Sequence, residues 1–120
     1  MPTRLRSCLA VALLGLAVAA APASAKLKNC PLSAKTQQHL GASYVTSLKV
    51  ATITCSRGKD VVRAFNKCRK AHGGVKGRCT KSVLGYHCSE IRTAIATQFT
   101  SKATCTYGSR RAVFTYTQFT

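Results

Sequence analysis

His87, Glu90 and Arg92, with Tyr86 beside them, are the residues whose types could carry a reaction. A histidine and a glutamate can shuttle protons in RNA cleavage while an arginine neutralises phosphate, as a small nuclease requires. Their spacing argues against it. On an extended strand an odd separation puts His87 and Glu90 on opposite faces. Glu90 is the chain's only glutamate, so every pair built on one must use it. The plainer expectation is a surface histidine and a glutamate paired with a neighbouring cation. The chain is expected not to be an enzyme, with a hydrolase acting through His87 and Glu90 as the leading alternative.

Metal chemistry is the next option, because His72, Cys79, His87 and Cys88 fall in one region. No Cys-x-x-Cys spacing occurs, and cysteines paired as disulfides have no thiolate to offer. No metal and no cofactor is expected. The segment Gly73 to Arg78 (GGVKGR) resembles a phosphate loop only in composition. It follows a helix instead of opening one, and no Gly-Lys-Ser/Thr is present. A nucleophilic cysteine is not expected, since each cysteine outside the leader has a partner available.

The elements that hold these residues begin with an export signal. Arg4 and Arg6 precede an apolar run from Leu9 to Ala21, and Ala23-Ser24-Ala25 is a small-x-small cleavage site. The run is shorter than the roughly 20 residues that span a bilayer. A released, soluble product starting near Lys26 is expected. With residues 1–25 removed, Cys8 leaves and six of the seven cysteines remain: Cys30, Cys55, Cys68, Cys79, Cys88 and Cys105. An even number in a short exported chain reads as three disulfides of open pairing. A bridge between Cys68 and Cys79 would close a small loop.

Charge is the other strong signal. The full chain carries a formal +17, with 19 lysines and arginines against two acids, Asp60 and Glu90. Without Arg4 and Arg6, 17 cations remain in 95 residues, a formal +15. Such surplus repels itself, and disulfides offset that repulsion in a chain whose core is small.

The one strong helix is predicted from Thr54 to Ala71. At about 100° per residue, Val61, Val62, Ala64, Phe65, Cys68 and Ala71 share one side. Lys59, Arg63, Lys67 and Lys70 form a stripe on the other, with no acid among them. Thr54 or Ser56 would cap it, Asp60 suits the early turns, and Gly58 is a weak helix residue there. The stripe continues through Arg69, Lys76, Arg78 and Lys81 as one expected anion-binding patch. It would attract an anionic wall polymer, lipid head groups or nucleic acid, in the last case without sequence specificity. The aromatics are mostly claimed by the core and not interleaved with the cations, which disfavours base stacking.

Residues 26–43 read as an irregular arm held by Cys30, and residues 44–120 as the folded domain. Tyr44 to Ile53 is a first strand, with Tyr44, Thr46, Leu48 and Val50 on one parity. Val83 to Ile91 is a second strand entered through Gly85, and Thr93 to Gln98 reads equally as a short helical turn or a loop. Phe99 to Tyr107 and Arg110 to Phe119 flank a Gly108-Ser109 hairpin. Setting Tyr107 opposite Arg110 puts Ala103, Cys105, Tyr107, Ala112, Phe114 and Tyr116 on the core face. Lys102, Thr104, Thr106, Arg111, Val113 and Thr115 then line the other. The expected fold class is α+β: one helix on a small, mostly antiparallel sheet, in the order strand, helix and three strands.

Thr54-Cys55-Ser56 entering the helix, then Gly85-Tyr86-x-Cys88, then Cys105-x-x-Gly-Ser-Arg-Arg with an aromatic last strand, resembles small exported cysteine-containing domains of high-GC Gram-positive bacteria. The resemblance covers roughly Tyr44 to Tyr116. It implies the fold and export, but those domains have no assigned activity, so it carries over no site. The expectation for function is a secreted, non-enzymatic binder of anionic surfaces or polymers. A protein-interaction or inhibitor module presenting the loop between Cys68 and Cys79 is the third possibility.

Overall fold

The computed structural model describes residue 15 and residues 25–120, so the expected export segment lies almost wholly outside the described residues. The elements in chain order are β1 (Lys28–Asn29), α1 (Ala34–Gln37), β2 (Tyr44–Ala51), α2 (Cys55–Ala71), β3 (His87–Ile95), β4 (Gln98–Tyr107) and β5 (Arg110–Phe119). A single 3-10 turn, Gly74–Lys76, follows α2. All strand pairs are antiparallel, in the spatial order β1-β2-β5-β4-β3. The helix α2 covers one face of this open sheet, which makes the two-layer α+β domain that the element order predicts.

Helix α2 forms where its periodicity puts it. Thr54 caps it, its hydroxyl oxygen accepting from the Arg57 amide at 3.1 Å. Val61, Val62 and Phe65 are buried against the sheet, each such side chain contributing about 1.5–3 kcal/mol. The Phe65 ring meets Phe114 edge-on at 5.4 Å and Tyr116 at 6.0 Å. Ala71, expected on the core side, is exposed at the helix end. Gly58 has a packing reason that composition hides. A Cβ there would stand 2.6 Å from Val50 Cγ1, so glycine lets the helix lie close on β2.

The C-terminal hairpin has the expected register, Tyr107 opposite Arg110, Cys105 opposite Ala112 and Ala103 opposite Phe114. Ala103, Cys105, Ala112, Phe114 and Tyr116 are all buried. Tyr107, at the hairpin end, is the exception. It is exposed, packs beside Tyr86 at 5.7 Å and carries Arg110 over its ring.

Three expectations are corrected. The second strand is shifted four residues later, from His87 to Ile95, and so takes in the start of the Thr93–Gln98 stretch. Val83 to Tyr86 is instead a tight turn, closed by reciprocal backbone hydrogen bonds, with Leu84 and Gly85 at positive φ. On β2, the alternation breaks at a bulge between Val45 and Ser47. The extra residue turns Val45 inward with Leu48 and Val50 and leaves Tyr44 partly exposed. The N-terminal arm is not irregular throughout. It pairs β1 with β2 and sends Cys30, Leu40 and Ala42 into the core.

Three disulfides close the domain: Cys30–Cys55, Cys68–Cys79 and Cys88–Cys105. The first ties the arm to the start of α2, the second closes the loop after α2, and the third joins β3 to β4. Bonded cysteines of this kind belong to an oxidising environment. Among the described residues no helix is long and apolar enough to cross a membrane.

Candidate functional site: a basic cleft beside a buried ion cluster

The strands that carry the reactive residue types also separate them. Alternation along β3 turns Cys88, Glu90 and Arg92 toward the helix side and His87 outward. His87 is exposed, with its Nδ1 3.2 Å from Ser82 Oγ, while the Glu90 side chain is only 7 % exposed. The two do not share a pocket. Of the metal candidates, Cys79 and Cys88 are consumed in disulfides, and the His72 ring is 2.7 Å from the Cys68 carbonyl oxygen.

Glu90 is instead the anion of a buried cluster. Ser101 donates to its Oε2 at 2.7 Å, the Tyr116 hydroxyl donates to the same oxygen, and Arg92 Nη2 lies 2.6 Å from Oε1. Arg78 approaches Oε1 from the solvent side at 3.6 Å. Burial alone pushes the Glu90 carboxyl up. The donors Tyr116, Ser101 and Arg92 outweigh that and hold it below its ordinary value. Burial, followed by the bond to Glu90, pushes the Tyr116 phenol up to about 12.

Arg69 occupies the neighbouring position, and here the sequence-based patch is corrected. Its side chain is fully buried instead of lying on the cationic stripe. Its Nε donates to Asn66 Oδ1 at 2.6 Å, Nη1 to the Val75 carbonyl at 3.0 Å and Nη2 to Gln118 Oε1 at 2.7 Å. The guanidinium also lies 4.7 Å from the Tyr116 ring centroid. Burial lowers its pKa, and the three neutral acceptors give each of its nitrogens a partner. The signal for this was present in helical phase. Arg69 falls four residues after Phe65 and seven after Val62, on the inward face. Gln118 likewise continues the inward parity of Ala112, Phe114 and Tyr116. Residue type masked both.

These two arginines hold the loop between Cys68 and Cys79 against the sheet. Arg92 donates to the carbonyls of Lys76 and Gly77 and stacks on Phe99 at 4.2 Å. Gly77 is there because nothing larger fits. A Cβ would lie 1.9 Å from the Arg69 carbonyl oxygen. Beside the pinned loop opens a cleft of about 350 Å³. Lys76, Arg78 and Arg92 line it together with the apolar Ala94, Ile95 and Phe99, and Gln98 and Thr120 also contribute.

The remaining cations stay outside. Lys67, Lys70 and Lys81 are exposed and Lys59 is half-buried. Arg63 is not free of acids, for its Nη1 meets Asp60 Oδ1 at 3.4 Å with both side chains about half exposed. Asp60 therefore partners a stripe residue instead of serving the first helical turn. Comparison of the chain with models of known families, with characterised proteins and with solved structures finds no match.

Proposed function

We propose that the domain is exported, is cleaved near Ala25 and attaches electrostatically to an anionic polymer or surface without catalysing a reaction. The observation that supports this is how both acids are used. Glu90 is buried on Arg92 and Asp60 is taken by Arg63. The only further ion pair to a carboxylate among the described residues is Arg78 on Glu90, so Lys59, Lys67, Lys70 and Lys81 have no acidic partner. Lys59, Lys67 and Lys70 recur at helical spacing along α2 and are joined at its end by the loop cations. A polyanion crossing this face would release counterions at each lysine, with binding that weakens as salt rises.

The test is retention of the oxidised protein on purified wall polymer, anionic vesicles and RNA across a salt series, with RNA integrity followed in the same tubes. Retention that falls steeply with salt while the RNA stays whole supports the binder. RNA cut by the protein, and spared when His87 is replaced, establishes the nuclease instead. A protein-interaction module is the second reading, favoured by the Cys68–Cys79 bridge and the loop it closes.

A further inference from the structure

The cleft beside the pinned loop is separate from the helix lysines, and its lining is specific. We propose that it is a binding site for a phosphate monoester bearing a compact apolar group. Three cations, Lys76, Arg78 and Arg92, line it, and the one carboxylate in contact with them is Glu90, held by Arg92 at 2.6 Å and touched by Arg78 at 3.6 Å. A phosphate monoester offers three oxyanion oxygens to the two exposed donors, Lys76 and Arg78, whereas a simple carboxylate offers two.

The cations divide the work. Arg92 is 10 % exposed and its terminal nitrogens are occupied by Lys76, Gly77 and Glu90, so it supplies fixed charge. Arg78 is 60 % exposed and only loosely held at 3.6 Å, so it can turn its fork onto an oxyanion. Lys76 is exposed and supplies a second mobile donor. The apolar part of the ligand has apolar lining to cover. Ile95 is 66 % exposed in the free domain and shares the lining with Ala94 and Phe99. Covering it removes apolar area from water, which inorganic phosphate cannot do. The volume of about 350 Å³ sits at the small end of ligand cavities and favours a short or compact group over a long chain.

Hexyl phosphate, inorganic phosphate and hexanol titrated calorimetrically into the oxidised protein provide the test. Hexyl phosphate is expected to bind at least about ten-fold more tightly than either fragment, since it alone engages both the cations and the apolar lining. The double variant Lys76→Gln/Arg78→Gln, on exposed positions, is expected to lose about ten-fold or more of that affinity. Ile95→Ser is expected to bring hexyl phosphate down to the level of inorganic phosphate. Lys59→Gln/Lys67→Gln/Lys70→Gln should leave the titration unchanged while lowering retention on polyanions, which separates this site from the adhesive face. Equal affinity for hexyl phosphate and inorganic phosphate, or an equal loss in the helix variant, would overturn the proposal in favour of diffuse charge. Competition by phosphatidylcholine vesicles containing phosphatidate, but not by phosphatidylcholine alone, would place the monoester in a lipid head group. Its absence would place it in a soluble molecule.

Discussion

Arg92 Nη2 and Glu90 Oε1 meet at 2.6 Å two residues apart on the inner face of β3. The Arg92 Nε is buried without a partner. Its terminal nitrogens also donate to the loop, Nη1 to the Lys76 carbonyl and the same Nη2 to that of Gly77, while Tyr116 and Ser101 donate to Glu90 Oε2. One strand thereby fastens the post-helix loop to the sheet.

Replacing Glu90 by Gln leaves the Arg92 charge buried and uncompensated. A loss of about 3–5 kcal/mol is expected in denaturant titration at pH 7. The pH dependence follows from the direction of each shift. Glu90 is held below its ordinary value in the folded state, so its stabilisation is complete above that value. It fades as the pH falls from about 4.3 toward the folded-state value. Tyr116 is raised, so its share is complete below about pH 10 and is lost as pH rises toward about 12. Glu90→Gln should flatten the acid limb between wild type and variant, and an unchanged acid limb would show that Glu90 does not set it.

Gly77→Ala forces a methyl group into the Arg69 carbonyl. The expected cost is about 2–3 kcal/mol, as for an overpacked interior. The affinity of the cleft for hexyl phosphate should fall with it, because the loop that carries Lys76 and Arg78 must move. Thermal denaturation and the titration described above measure the two effects, and a fully stable Gly77→Ala protein would contradict the packing.

Phe65→Ala removes the ring that α2 sets against Phe114 and Tyr116. A loss of about 3–5 kcal/mol is expected. Denaturant titration decides it, since a change well under about 1 kcal/mol is what surface positions give.

Opening Cys68–Cys79 with paired Ser substitutions should cost about 2–4 kcal/mol, toward the lower figure because the loop is short. Hydrogen exchange should quicken at residues 73–81 more than in β4 and β5. Uniform quickening would mean that the bridge stabilises the whole domain and not the loop.

On the adhesive face, Lys59→Gln/Lys67→Gln/Lys70→Gln should reduce the salt dependence of RNA retention by about two units of log–log slope, three contacts at about 0.7 each. All three positions lie off the buried side of α2, so the melting temperature should hold. Retention with an unchanged slope would remove the helix stripe from the contact.

The sequence by itself determined the helix, the terminal hairpin with its register, and the core face of each apart from Ala71, Tyr107 and Arg69. Those features repeat over two to four residues, so neighbours along the chain carry the whole signal. The six-cysteine framework was legible on the same terms, as a count, although Cys30–Cys55 and Cys88–Cys105 were not. Tertiary structure decided everything that depends on which distant surfaces meet. Arg69 reads as one more cation on a basic helix, and only the arrival of Val75 and Gln118 makes its burial tolerable. Gly58 reads as a weak helix residue until Val50 is found against it. The bulge at Val45 and the tight turn at Leu84-Gly85 override the local alternation because the sheet around them is already in register. The cleft is the furthest from the sequence. Lys76, Arg78, Arg92 and Ile95 lie on two separate segments, and the pinned loop between Cys68 and Cys79 brings them to one place.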